Sequence, residues 1–264
     1  MRNVLLSLLV FTSISLSAAT SQGALSGRFT INNDGDQIVF SQGNLQFNNA
    51  TGIWSFATNQ YDVCRGTTIE DLFTWTTQDD ETDDAFKDWG TNAISNGGNE
   101  ANLWRTLTRD EWCYIFCGRA NAAVRFGYDT VAGVYGLVLL PDNWTIPTEM
   151  IPTACNSEQW KELEANGAVF LPSAGYKDGG YYWSSTPAGS SDAYRVYFYK
   201  GDAGMGNSYR SYHYSVRLVQ DCQKTTAISN VQSDKVQCTK TLRNGQLLIE
   251  KNGQIYTVDG RLVR

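Results

Sequence analysis

Residues 175–219 hold nine of the chain's fourteen tyrosines, with seven glycines, seven serines, one tryptophan and no cysteine. Strand alternation through such a segment buries one side and leaves the other to solvent or a ligand. Tyrosine, serine and glycine dominate surfaces that bind by shape, because tyrosine offers a large rigid contact area at low entropic cost. No nucleophile–base pair or metal-ligand cluster accompanies the aromatics here. The segment therefore points to a surface rather than to chemistry.

The first 19 residues have a secretory plan: Arg2, an apolar run from Val4, then Ser17-Ala18-Ala19. A small-residue end after an apolar core of that length reads as a signal peptide and not as a membrane span. Cleavage after Ala19 is expected, with Gly23 as the alternative. The expected location is thus secreted or the outer cell surface, with the periplasm as a variant. No later apolar run is long enough to cross a bilayer. The formal charge is −6 and falls by one more when Arg2 leaves with the leader, so nucleic acid is excluded as a partner. Six cysteines (Cys64, Cys113, Cys117, Cys155, Cys222, Cys238) allow up to three disulfides in an exported chain. Cys113 and Cys117, four residues apart, read as small buried residues sharing a helix face.

Past the leader, Phe29–Ile31 and Gln37–Phe40 flank an Asp-Gly turn, and Leu45–Phe47 with Ile53–Phe56 form a second hairpin. Thr67–Trp75 is read as a short helix with Leu72 and Phe73 inward. Asp79–Asp84 is a solvated acidic loop or an irregular calcium site, since it lacks the spacing of an EF-hand. Thr108 and Glu111 form a capping box ahead of Trp112, Ile115 and Phe116. A second helix is expected from Ser157 to Ala165, capped by Asn156 and stopped at Gly167. Strands are expected at Gly136–Leu140 and Ala168–Pro172. Residues 221–237 read as a linker. The end, 238–264, carries Asn-Gly, Asn-Gly and Asp-Gly turns and reads as a small meander of three or four strands.

Trp104–Trp112 resembles the helix start of the sulfatase-modifying-factor, or formylglycine-generating-enzyme-like, superfamily. Tyr182–Ser185 and Ser215–Val219 resemble the end of the same domain. Ser41–Gln46 with Trp54–Asp62, Trp89–Trp112, Gly167–Gly179, Tyr181–Ser185 and Ser215–Val219 further resemble, in order, paralogous secreted domains of Fibrobacter and gut Bacteroidota. The resemblance covers about residues 24–220. It implies an α+β, C-type-lectin-like domain of twisted antiparallel sheets, two main helices and long loops. The tail from Leu242 is similar to Bacteroidota sorting segments, which implies export machinery as a partner. The same resemblance argues against an enzyme. The copper-binding cysteine pair near the domain's end has no counterpart, because no cysteine lies between Cys155 and Cys222. One histidine cannot supply a three-histidine iron site, and no calcium-ligating lectin motif is present, so no cofactor is implied.

By that resemblance, contacts fall on the late loops, Gly175–Tyr182, Pro187–Asp192 and Gly201–His213. The candidate residues are Tyr176, Tyr181, Tyr199, Asp202, Asn207, Tyr209, Tyr212 and His213, offering stacking and oriented hydrogen bonds to a glycan or protein ligand. Trp183, Tyr194, Tyr197 and Val216 are assigned to the core, and Arg195, Arg210 and Arg217 to structural pairing. Two rivals remain open. One is a structural or assembly subunit of the cell surface. The other is a carbohydrate-active hydrolase using two of Asp178, Asp192 and Asp202 across a cleft.

Overall fold

A computed structural model describes residues 22–64, 66–75, 86–122, 126–146, 154–175, 179–199 and 201–222, and the strands of the tail. The leader, the acidic run 79–84 and the body of the linker lie outside the described residues. The chain divides into two compact units, Met1–Cys222 and Gln223–Arg264.

The first unit is mostly β-sheet with two short α-helices. Its strands begin with β1 (Ala24–Thr30), β2 (Gln37–Ser41), β3 (Leu45–Asn48), β4 (Ile53–Phe56), β5 (Ile69–Glu70) and β6 (Arg105–Thr106). Helix α1 (Arg109–Cys113), β7 (Phe126–Val131), β8 (Val134–Leu139), helix α2 (Ser157–Ala165) and β9 (Val169–Pro172) follow. The unit closes with β10 (Gly179–Pro187), β11 (Asp192–Tyr199), β12 (Asp202–Tyr209) and β13 (Leu218–Asp221). These pair as four sheets, β1-β2-β13-β6, β4-β3-β5, β7-β8-β9 and β10-β11-β12. Asp221, read as linker in the sequence, instead ends β13 opposite Ile38. The second unit is the antiparallel meander β14 (Cys238–Arg243), β15 (Gln246–Lys251) and β16 (Gln254–Thr257).

Local chemistry explains several of these elements. Between β1 and β2, the Asn32 side chain accepts from the amides of Asp34 and Asp36, and Gly35 takes the positive φ of the turn. At α1 the Thr108 hydroxyl accepts from the Glu111 amide while Glu111 reaches back to the Thr108 amide. The helix then loosens into one π turn, Tyr114–Gly118, and Trp112, Ile115 and Phe116 are buried. Asn156 and Gln159 make the equivalent box at α2, which buries Trp160 and Leu163. Gly167 ends α2 at φ +92°, pressed so closely on β1 that a Cβ at Gly27 would meet the Gly167 carbonyl oxygen at 2.1 Å.

Thr67–Trp75 is not a helix. It holds the two-residue strand β5, and burial then alternates at Asp71, Phe73 and Trp75. Phe73 exchanges backbone hydrogen bonds with Tyr214, and the Trp75 amide donates to the Arg210 carbonyl. Distant partners thus hold the segment extended, which local propensity does not reveal.

Cys113 and Cys117 are not buried together: Cys113 is half-buried, Cys117 exposed, and both line a shallow concavity of about 320 Å³. The π turn that follows Cys113 carries the second thiol to the surface. Cys155 is their opposite. It is buried, its thiol donates to Asp129, and burial foremost, then that bond, pushes it up to about 12. At pH 8 this leaves on the order of one thiolate in 10⁴, and thiolate is the reacting form. Timed alkylation of the native chain with mass-spectrometric readout is therefore expected to label Cys117 at least ~100-fold faster than Cys155, with the difference erased in denaturant.

Candidate functional site

The sheet β10-β11-β12 organises the tyrosine-rich segment. β11 and β12 pair without interruption from Asp192↔Tyr209 to Tyr199↔Asp202, so only two residues of the chain lie between them. The segment Gly201–His213, expected as a long loop, is therefore mostly strand. Ala203 and Met205 pack against the core on one face. Gly204 and Gly206 leave room on the other for Tyr197 and Arg195. The Pro187–Asp192 loop is likewise short. Buried Arg210 holds it, donating to the carbonyls of Gly189 (2.6 Å) and Asp192 (3.1 Å) while stacking over Trp75 at 4.6 Å.

One face of this sheet carries Tyr182, Val196 and Phe198 into the main core. The opposite face changes character along its length. Trp183 and Ala193 are buried in a second core cluster, whereas Tyr199 at the far end is 47% exposed. Between them runs a ladder of rings. Tyr209 meets Tyr212 edge-on at 5.8 Å, and Tyr212 meets Tyr214 at 6.0 Å. Tyr214 stacks on Tyr181 at 4.7 Å. The Arg195 guanidinium then lies 4.8 Å from the Tyr181 ring and 5.1 Å from Tyr197. Tyr197 ends the ladder by donating its hydroxyl to Asp202 at 3.1 Å.

Ser208 locks the middle, accepting from Arg195 Nε and from the Tyr214 hydroxyl, both at 3.0 Å. Burial, as the largest cause, raises the Tyr214 phenol above its usual value. Tyr197 is raised chiefly by its bond to Asp202. Both phenols are therefore neutral donors at physiological pH. Among the described residues no carboxylate lies within ion-pair distance of Arg195.

The ladder joins Tyr181, Asp202, Tyr209 and Tyr212 of the candidate set. Tyr199 stands beside it, opposite Asp202 in register. Asn207 turns to Asp192 at 2.9 Å, and His213 is exposed in the turn after β12. Tyr176 lies outside the described residues. Sequence reading placed Tyr194 and Tyr197 in the core, but both are half-buried, while Trp183 and Val216 are buried. Arg195, Tyr197 and Tyr214 were not among the candidates, although all three are rungs. A further residue was missed: Tyr128, on β7, stacks on Tyr135 at 6.3 Å and is pushed up to about 12, by burial first and then by Tyr135, Asp202 and Tyr197. Its signal was the alternation Tyr128, Thr130 before the Ala132-Gly133 turn, a strand left unassigned in the sequence.

Asp192 and Asp202 stand at opposite ends of the β11–β12 ladder, seven residues apart along it. At ~3.3 Å per residue that separation is about 23 Å, too far for the two to act on one glycosidic bond. Asp178 lies outside the described residues.

A family model described as a domain of unknown function (DUF8237) matches residues 151–219. The match begins before α2 and ends within β13, so it takes in β10, β11, β12 and every rung of the ladder. No curated protein and no solved structure matches the chain. No helix among the described residues is long and apolar enough to cross a membrane.

Proposed function

We propose that this chain is an exported, surface-associated binding module that recognises a glycan or protein ligand on the Tyr209-to-Asp202 face. The observation that carries the reading is the ladder itself. Three large tyrosines, Tyr199, Tyr209 and Tyr212, are about half exposed (47–59%), and Tyr209 and Tyr212 continue into rings held rigid by stacking and by Ser208. Rigid rings with polar tips give contact area without an ordering cost on binding. Asp202 and His213 supply hydrogen bonds at the rim, whereas Asn207 turns to Asp192 on the other side of the strand. The C-type-lectin-like reading of the main domain is part of this proposal, supported by antiparallel sheets, two capped helices and the ordered motif blocks. Export rests on the leader, and contact with export machinery on the tail.

A glycan and mucin-peptide array probed with the purified chain tests the reading. Binding that disappears in Tyr209→Ala and Tyr212→Ala is the expected outcome. Binding that survives both places the site elsewhere. An empty array favours the rival reading of a structural subunit, to which the open edge of β12 also lends weight.

A further inference from the structure

β12 is an edge strand, and no described strand of its unit pairs with its outer edge. All eight of its residues pair with β11 in unbroken register, and none of the eight is buried. In an antiparallel pair, alternate residues turn their N–H and C=O groups away from the partner strand. Among the described residues, no backbone hydrogen bond satisfies that outward set on residues 202–208. The other edge of the same sheet is covered, since the Trp183 amide donates to the Ser215 carbonyl and the Ser215 amide to the Tyr181 carbonyl. Exposed edges are ordinarily blunted by lysine, proline, a bulge or brevity. β12, Asp-Ala-Gly-Met-Gly-Asn-Ser-Tyr, has none of these.

We propose that β12 pairs antiparallel with β12 of a second copy of the chain, about a two-fold axis through Met205. This register sets Gly204 against Gly206 and Asp202 against Ser208 of the second copy. Residues directly opposite share a face at about 5 Å between Cβ atoms. Asp202 is the one ionisable side chain from 202 to 208, and the two-fold keeps the two copies of it apart. It lands instead beside Ser208, whose hydroxyl accepts from Arg195. The guanidinium, which has no carboxylate within ion-pair distance among the described residues, thus gains one from its neighbour, twice per dimer. The glycines leave no bulk to block the approach. The product is a continuous six-stranded sheet, and symmetric self-complementary contacts of this kind are the commonest route to homodimers. It would carry two ladders on one face, a geometry that multiplies weak affinity for a repeating ligand.

Sedimentation velocity of the purified chain from about 1 to about 100 µM tests this. The wild type is expected to pass from monomer to dimer within that range. Gly204→Lys charges the edge at a point where a Cβ meets only the Tyr197 ring at ordinary contact distance. Asp202→Lys sets a cation beside Arg195 and costs the fold one exposed hydrogen bond. Each is expected to weaken association at least ~10-fold with an unchanged circular-dichroism spectrum. Hydrogen exchange should slow at alternate amides of 203–207 as concentration rises. A wild type that stays monomeric throughout, or a dimer that survives both substitutions, overturns the proposal. Both substitutions leave the tail intact, so association through residues 238–264 would be recognised by its persistence.

Discussion

Arg217→Ala is expected to lower stability by about 3–5 kcal/mol, because it empties a fully buried site and strips a polar hub of its centre. The Arg217 side chain donates to Gln60 Oε1 at 2.7 Å and to Asn44 Oδ1 at 3.3 Å, with the Phe170 carbonyl at 3.4 Å. Asn44 in turn donates to the Tyr182 hydroxyl, and Tyr182 donates to the Pro172 carbonyl. Gln60 bridges to Glu164 and Ala168. One guanidinium thus ties the loop before β3, the turn around Gln60, β9 and β10. Among the described residues no carboxylate pairs with it directly, and burial depresses its pKa to about 10. A buried charge without an ion pair carries a desolvation cost, so Arg217→Met, which keeps volume and removes charge, should cost clearly less than Arg217→Ala. Urea midpoints of the two variants check this. Equal losses would mean that the hydrogen bonds and not the filled volume carry the site, and a neutral alanine variant would refute the hub.

Trp183→Ala is expected to cost about as much, roughly 3–5 kcal/mol, and to reach the ladder as well. The indole is 1% exposed, donates Nε1 to the Phe73 carbonyl at 2.7 Å and packs on Tyr214 at 4.6 Å. It is the wall against which Tyr214 and then Tyr181 stand. Thermal unfolding should shift down by about 10 °C, at ~2–4 °C per kcal/mol for a domain of this size. Trp183→Phe, which keeps a ring and loses one hydrogen bond, should lose ~1–2 kcal/mol. If ligand binding by the folded fraction of Trp183→Ala were undiminished, the ladder would not be mechanically continuous with the core.

Much of the local framework was legible because its causes lie within a few residues. Thr108 and Glu111 state where α1 begins, Asn156 where α2 begins, and Asn32-Asn33-Asp34-Gly35 where β1 turns into β2. Elements set by distant partners were not. Phe73 and Trp75 are extended because Tyr214 and Arg210 hold them, and the sequence around Thr67–Trp75 has no local mark of that. β12 is rich in glycine, which weakens strand signals, and becomes a strand through β11. Arg217 stood out as part of a terminal motif, yet its hub partners Asn44 and Gln60 lie 173 and 157 residues away. The candidate surface was legible as composition. Its order was not, since the stacking of Tyr181 on Tyr214 and the placement of Arg195 between Tyr181 and Tyr197 exist only once the sheet has formed.

On the proposed function, this ordered face is where ligand binds. Calorimetric titration of the strongest array ligand into wild type and into Tyr209→Ala/Tyr212→Ala tests it most directly. Two exposed stacking rings at ~0.5–1.5 kcal/mol each predict a loss of about 5- to 150-fold in affinity with an unchanged melting temperature. A double variant that binds within about twofold of wild type would contradict the account.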